Sequence, residues 1–183
     1  MDNGASSYRR FLDGDESAFD EILKELKDNL IFFIDMYVHD MATAEDIAID
    51  VFSELLVHRH RYNFKVKLKT YLFMMGRSRA LNYIKHRDRY RMIEYEEAET
   101  ELVYRENIED IVLADVRKRI VHNALSQISD EMREVIHLIY FEELSYEEAA
   151  KVMKKNKKQI DNLLYRAKNA LRAIIGKEGE QLI

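Results

Sequence analysis

The sequence predicts an all-α protein, with two small helical domains, an N-terminal helical bundle and a C-terminal four-helix domain with a helix-turn-helix, joined by an acidic linker. Three observations predict it. The 183 residues include no proline and five glycines, while Leu, Ile, Ala, Glu, Lys and Arg dominate, so few positions break a helix. Apolar residues recur at the three-to-four spacing of a helix along most of the chain. Charge comes in blocks, two basic ones separated by an acidic one.

From Asp2 to Asp50 acids prevail, with Arg9, Arg10, Lys24 and Lys27 the only basic residues. A helix over Ala18–Val38 carries Phe19, Ile22, Leu23, Leu26, Leu30, Phe33 and Ile34 on one stripe. Thr43 with Asp46 reads as the cap of a second helix, whose apolar set is Ile47, Val51, Phe52, Leu55 and Leu56. A turn through Tyr62–Val66 leads to a third helix, roughly Leu68–Arg91. Its inner side offers Leu68, Leu72, Met75, Ala80 and Ile84, and Ser78, Asn82, Lys85 and Arg89 share the other. Between His58 and Met92 eleven Arg and Lys side chains face Asp88 alone. The first domain is thus 1–92.

Residues 93–112 read as the linker, since the run from Glu94 to Asp110 is acidic and poor in apolar residues. The second domain, 113–183, begins with a helix bearing Val116, Ile120, Ala124 and Leu125, followed by one with Met132, Val135, Ile136 and Ile139. Ser145 with Glu148 forms a capping box, Leu144 is placed to staple onto Ala149, and Ala149, Val152 and Met153 are the inner side of the helix that starts there. The polar run Lys154, Lys155, Asn156 interrupts the period. Asn156 with Gln159 then starts the last helix, with Ile160, Leu163, Leu164, Ala167, Leu171, Ile174 and Ile175 inward and Lys157, Lys158, Asn162, Tyr165, Arg166 and Asn169 outward. A helix-turn-helix with an outward face of Lys, Arg, Asn and Gln suits phosphates and base edges, although a solvated helical hairpin shows the same pattern.

Other classes find little support. Cysteine is absent, which removes disulfides and thiolate metal sites. The polar start is unlike a signal peptide, and no stretch approaches the roughly 20 apolar residues of a membrane span, so a cytoplasmic protein with no membrane insertion is expected. The six histidines fall at no metal-ligand spacing, and no phosphate loop, serine elbow or paired acids in an apolar setting is seen, so neither enzyme nor metal nor cofactor is expected. The net charge of -5 hides the two basic blocks, which are what a two-point contact with DNA requires.

Five stretches carry a family resemblance: LDGDESAFDEIL at Leu12–Leu23, AEDIAIDVFSELL at Ala44–Leu56, KTYLFMMGRSRALNYIKHR at Lys69–Arg87, ALSQISDEMREVIHLIYFEELSYEEAAKVM at Ala124–Met153, and YRAKNALR at Tyr165–Arg172. In this order and spacing they resemble an extracytoplasmic-function (ECF-type) sigma factor of the sigma-70 family, the small bacterial initiation subunit that keeps the second and fourth sigma regions. The resemblance implies docking on core RNA polymerase through Glu45, Asp46, Asp50, Val51, Phe52 and Leu55. It implies reading and melting of the minus-ten promoter element through Asn63, Lys65, Lys67, Arg77, Asn82, Lys85 and Arg87, with Tyr62 and Phe64 offering a stacking face for an extruded base. Tyr71, Phe73 and Tyr83 are read as packing.

Lys157, Lys158, Gln159, Asn162 and Arg166 would read the minus-thirty-five element, Arg166 foremost. The turn departs from the family's commonest pattern: Lys154 stands for a glycine, Lys155 for an aliphatic, Asn156 for a proline and Asp161 for a basic residue, so base preference is not carried over. The resemblance also implies an anti-sigma factor as a partner. It sends the acidic linker toward the RNA exit path, where Glu94–Glu101 would mimic nucleic acid, the other reading being a solvated spacer. Two further readings stay open at this level: a helix-turn-helix regulator that binds DNA without polymerase, and a helical adaptor with no nucleic-acid role.

Overall fold

A computed structural model describes residues 4–95, 121 and 123–180. The predicted helix around Val116 and Ile120 and the acidic stretch from 96 onward lie outside the described residues. The chain divides into two compact units; among the described residues the first takes in 4–95 and the second most of 121–180.

The first unit holds α1 (Ala5–Leu12), α2 (Ser17–Val38), α3 (Met41–Val57) and α4 (Leu68–Tyr95). α2 is the centre of the unit, packed by α1, α3 and α4. Its stripe is the predicted one: Phe19, Ile22, Leu26, Leu30, Phe33 and Ile34 are buried, and Leu23 is half-buried. His39 ends α2 in the left-handed region at φ 54°, donating its N–H to the Asp35 carbonyl. Asp40 then starts α3, its carboxylate accepting from the Thr43 N–H at 2.7 Å. The cap expected at Thr43 therefore sits three residues earlier. Asp40 has the extended backbone that a capping residue needs, and Thr43 is already inside the helix.

α4 lays Leu68, Leu72, Phe73 and Ala80 into this core, with Met75 and Ile84 half-buried. At Gly76 α4 packs tightly on α2, since a Cβ there would sit 2.9 Å from Leu30 Cδ1 and 3.3 Å from Ile34. α4 also runs to Tyr95, past the expected boundary at 92. α1 has no counterpart in the sequence reading. Its eight residues bury only Tyr8 and Phe11, too few for a periodic signal, and an isolated helix that short is unstable without packing. Tyr8 and Phe11 join a cluster of rings with Tyr62, Phe64 and Phe19, the centroids 4.6–6.2 Å apart.

In the second unit residues 123–126 are helical, followed by α5 (Asp130–Ile136), which continues as a π-helical turn over His137–Phe141, then α6 (Tyr146–Met153) and α7 (Lys157–Glu180). Its core takes Ala124, Ile128, Val135, Ile136, Leu138, Leu144, Ala149, Ile160, Leu163, Leu164 and Ala167, and Val152 and Met153 of α6 are buried as well. Met132 and Ile139, expected beside Val135 and Ile136, are half-buried. Arg133 fastens α5 to the preceding turn by donating to the carbonyls of Leu125 (3.0 Å) and Ile128 (3.3 Å). No helix among the described residues is long and apolar enough to cross a membrane.

Candidate nucleic-acid interface

Two reciprocal capping boxes frame the α6–α7 turn. The Ser145 N–H donates to Glu148 Oε2 at 2.9 Å and the Glu148 N–H to Ser145 Oγ at 3.3 Å. The Asn156 N–H donates to Gln159 Oε1 at 2.8 Å and the Gln159 N–H to Asn156 Oδ1 at 2.9 Å. Each box satisfies amides that a helix start leaves without partners. Between them α6 closes in a Schellman arrangement, the Lys155 N–H reaching the Ala150 carbonyl at 2.9 Å and the Lys154 N–H that of Lys151 at 3.3 Å. Lys154 has φ 54°, so it occupies the left-handed position that glycine usually takes.

So framed, α7 buries Ile160, Leu163, Leu164 and Ala167 and exposes Lys157, Lys158, Gln159, Asp161, Asn162 and Arg166. All five predicted reading residues thus reach the surface. Lys157 departs from the set, because its Nζ pairs with Glu147 Oε1 at 2.6 Å; that contact holds the Glu147 carboxyl below its ordinary range and raises the Lys157 ammonium. Lys155 is paired as well, with Glu131 at 3.0 Å. The carbonyl of Gln159 is engaged by its own cap, so its amide N–H groups are what it can offer a base. Tyr165, counted only as outward-facing from the sequence, is 68% exposed, at the edge of this face beside Lys158. It belongs to the candidate surface, and helical spacing alone could have assigned it.

The first unit offers a loop and a helix face. Asn63 Oδ1 accepts from the Lys65 N–H at 3.1 Å, an Asx turn that leaves Asn63, Lys65 and Lys67 at the surface. Tyr62, expected as part of a stacking face, is 3% exposed and donates its hydroxyl to the Val66 carbonyl at 2.6 Å; it is the floor of the loop. Phe64 is half-buried at φ 60°, its ring 4.6 Å from that of Tyr62. Phe73 is core and Tyr71 lies 5.2 Å from Tyr62, as packing residues do, whereas Tyr83 is 38% exposed.

Along α4, Asn82, Lys85 and Arg89 share an exposed side. Arg77 is half-buried. Arg87, expected with Asn82, lies five residues on and so well round the helix, where its Nε meets Asp88 at 3.2 Å and its Nη1 the Val38 carbonyl at 3.5 Å. It belongs to the packing of α4 on α2 and not to the Asn82–Lys85 face. Other cations of the block are neutralised within the fold: Arg79 and Arg61 both donate to Glu54, whose carboxyl they hold below its ordinary range, and Arg79 also reaches Asp50 at 3.4 Å.

α3 requires the plainest correction. Val51, Phe52 and Leu55 are 0%, 4% and 2% exposed and form the side turned into the unit, so they cannot meet a partner. The outer side carries Glu45, Asp46 and Asp50 beside Ile49, Leu56 and Val57, which are 52%, 40% and 71% exposed. Carboxylates beside exposed apolar groups are still the chemistry of this helix, displaced by one helical side.

Two family profiles match the chain: sigma-70 region 2 over residues 22–90 and sigma-70 region 4 over residues 118–171, together about two-thirds of its length. The chain belongs to the sigma-70 family. It is an ECF-type sigma factor, and as such a transcription initiation factor that directs polymerase to promoters. It is 24% identical over 85% of its length to the ECF RNA polymerase sigma factor SigM of Bacillus subtilis, of which the match covers 93%. With the RNA polymerase sigma-H factor of Pseudomonas aeruginosa it shares 27% identity, over 86% of each chain.

In fold this sigma factor is similar to the sigma factor RpoE of Bartonella quintana, solved with the anti-sigma factor NepR (TM-score 0.62, 24% identity, covering 86% of this chain and 96% of that one). A second likeness is to CnrH, solved with the cytosolic domain of CnrY (TM-score 0.63, 19% identity, 96% of each chain). The region 2 match takes in α3, most of α2 and most of α4, the region 4 match takes in α5, α6 and most of α7, and α1 lies outside both.

Proposed function

We propose that this sigma factor binds core RNA polymerase through the outer side of α3, opens and reads the minus-ten element with the Asn63–Lys67 loop and the Asn82–Lys85 side of α4, and reads the minus-thirty-five element with α7. The observation that carries the reading is the α7 face: a helix whose start is fixed by its own capping box, presenting Lys158, Gln159, Asn162, Tyr165 and Arg166 together at the surface. Side-chain amides, guanidinium and ammonium groups on one rigid helix match the donor and acceptor edges of the major groove, and Arg166 is the side chain best suited to a guanine.

On α3, Glu45, Asp46 and Asp50 supply charge for a basic partner helix, with Ile49, Leu56 and Val57 supplying apolar area. Residues 1–95 and 113–183 act as separate reading domains on a spacer of 96–112, and the spacer's acids compete with nucleic acid inside the polymerase. An anti-sigma factor that masks both domains is the expected regulator, by likeness to RpoE, solved with the anti-sigma factor NepR.

Transcription in vitro with core polymerase over a promoter library tests this. Initiation from promoters sharing two motifs, with Arg166→Ala relaxing one motif and Lys85→Ala weakening opening at the other, is the expected result. Tight promoter binding without core polymerase would make the protein a stand-alone regulator instead. No initiation from any promoter, with the core shown active, would end the proposal.

A further inference from the structure

α1 lies outside both matched segments, yet it touches the loop assigned to the minus-ten strand. Tyr8 is fully buried and donates its hydroxyl toward the carbonyls of Leu55 (3.2 Å) and Arg59 (2.8 Å), while its ring lies 5.4 Å from Tyr62 and 6.2 Å from Phe64. The next residue, Arg9, is exposed, and its guanidinium carbon stands 5.0 Å from the centre of the Phe64 ring. Arg10, by contrast, is held by Asp15 at 2.6 Å and Glu21 at 3.0 Å. Of two adjacent arginines, one is neutralised between α1 and the start of α2, and the other lies over an aromatic ring held in a strained left-handed conformation at the loop's apex.

We propose that Arg9 is a nucleic-acid contact of the minus-ten reader: its planar guanidinium is the second wall of a stacking site whose first wall is Phe64, and one base extruded from the opened strand enters between them. The proposal rests on the minus-ten reading above. Arg9 is itself exposed, and an exposed guanidinium over a ring is weakly held, so it lifts easily to admit a base. Both planes accept the face of any base, and the five N–H donors of Arg9 stay available for the adjoining phosphate once it has moved. The Tyr8 hydrogen bonds fix α1 against the α3 end, so the two walls stay in register without a contribution from the strand.

The test uses the whole protein with core polymerase on promoters carrying 2-aminopurine at each minus-ten position in turn, so that base unstacking is read by fluorescence as the open complex forms. Arg9→Ala lowers open-complex formation roughly three- to tenfold. The loss vanishes on the one promoter whose extruded base is replaced by an abasic site. Arg9→Lys, which keeps the charge and loses the plane, recovers part of it, and Arg10→Ala, which removes an equal charge from the same helix, changes nothing. The idea is overturned if Arg9→Ala matches the wild type, or if its loss is the same on every abasic promoter, which is a general charge effect. A wild type insensitive to all minus-ten changes would remove the minus-ten reading and the clamp together; a sensitive wild type matched by Arg9→Ala would remove the clamp alone.

Discussion

The α7 face stands on bonds between residues three apart, Ser145 with Glu148 and Asn156 with Gln159, whereas the floor of the Tyr62–Val66 loop packs against the ring of Tyr8, whose hydroxyl reaches the carbonyls of Leu55 and Arg59, 47 and 51 residues away. The first surface is assembled by two successive helix starts and needs little beyond its own turn. The second exists only when α1, the end of α3 and the loop have come together. The locally made surface keeps its advertised side chains except Lys157, which Glu147 engages; the surface made at long range spends part of its charge and most of its aromatics on being assembled.

The contrast is sharpest in substitutions. Tyr8→Ala is expected to destabilise the first unit by about 3–5 kcal/mol, since it removes a buried ring and leaves carbonyls without a donor, while Tyr8→Phe costs about 1 kcal/mol. Denaturant unfolding measures both, and an alanine variant as stable as the wild type would break the long-range account. Gly76→Ala, which drives a methyl against Leu30, is expected to cost about 1–3 kcal/mol in the same unit and to leave the second unit's transition unmoved.

On the local side, Ser145→Ala and Asn156→Ala are expected to cost about 1 kcal/mol each, read as a drop in the second unit's midpoint with the first unit unchanged. Lys154→Gly goes the other way: it relieves a left-handed side-chain-bearing residue and should stabilise by up to about 1 kcal/mol. A loss of stability would contradict the left-handed backbone at Lys154.

The smallest effect is a pH dependence. Arg79 and Arg61 hold the Glu54 carboxyl below its ordinary 4.5, so the folded pKa is depressed. Its contribution is fully present above pH 4.5 and is lost as pH falls through the lowered folded value. The stability gap between wild type and Glu54→Gln should stay flat near neutrality and shrink below pH 4.5; a gap that grows on acidification would contradict the pairing.

These differences account for what could be read in advance. Both capping boxes, the α2 stripe and the outward set on α7 follow from three- and four-residue spacings, which a helix imposes wherever it forms. In sequence Val51, Phe52 and Leu55 suit a partner as well as a core, because an apolar residue on a helix has one chemistry whichever it faces. Only the packing of α3 against α2 and α4 decides between them, and it leaves Ile49, Leu56 and Val57 outside. Asp40 rather than Thr43 caps α3 because both residue types cap well, and backbone geometry at the α2–α3 junction selects one.

By itself the sequence determined the helical class, the framed start of α7 and the side chains it presents, because each rests on the period of a single helix. The tertiary structure alone decided which cations remain free, with Arg61, Arg79 and Arg87 drawn into the first unit's own contacts. It also decided which aromatics are floor and which are surface, and that α1 reaches the loop at all. Most of those outcomes depend on groups 25 to 51 residues apart meeting at a few ångströms, and burial and ion pairing act on distance in space, to which order along the chain is blind.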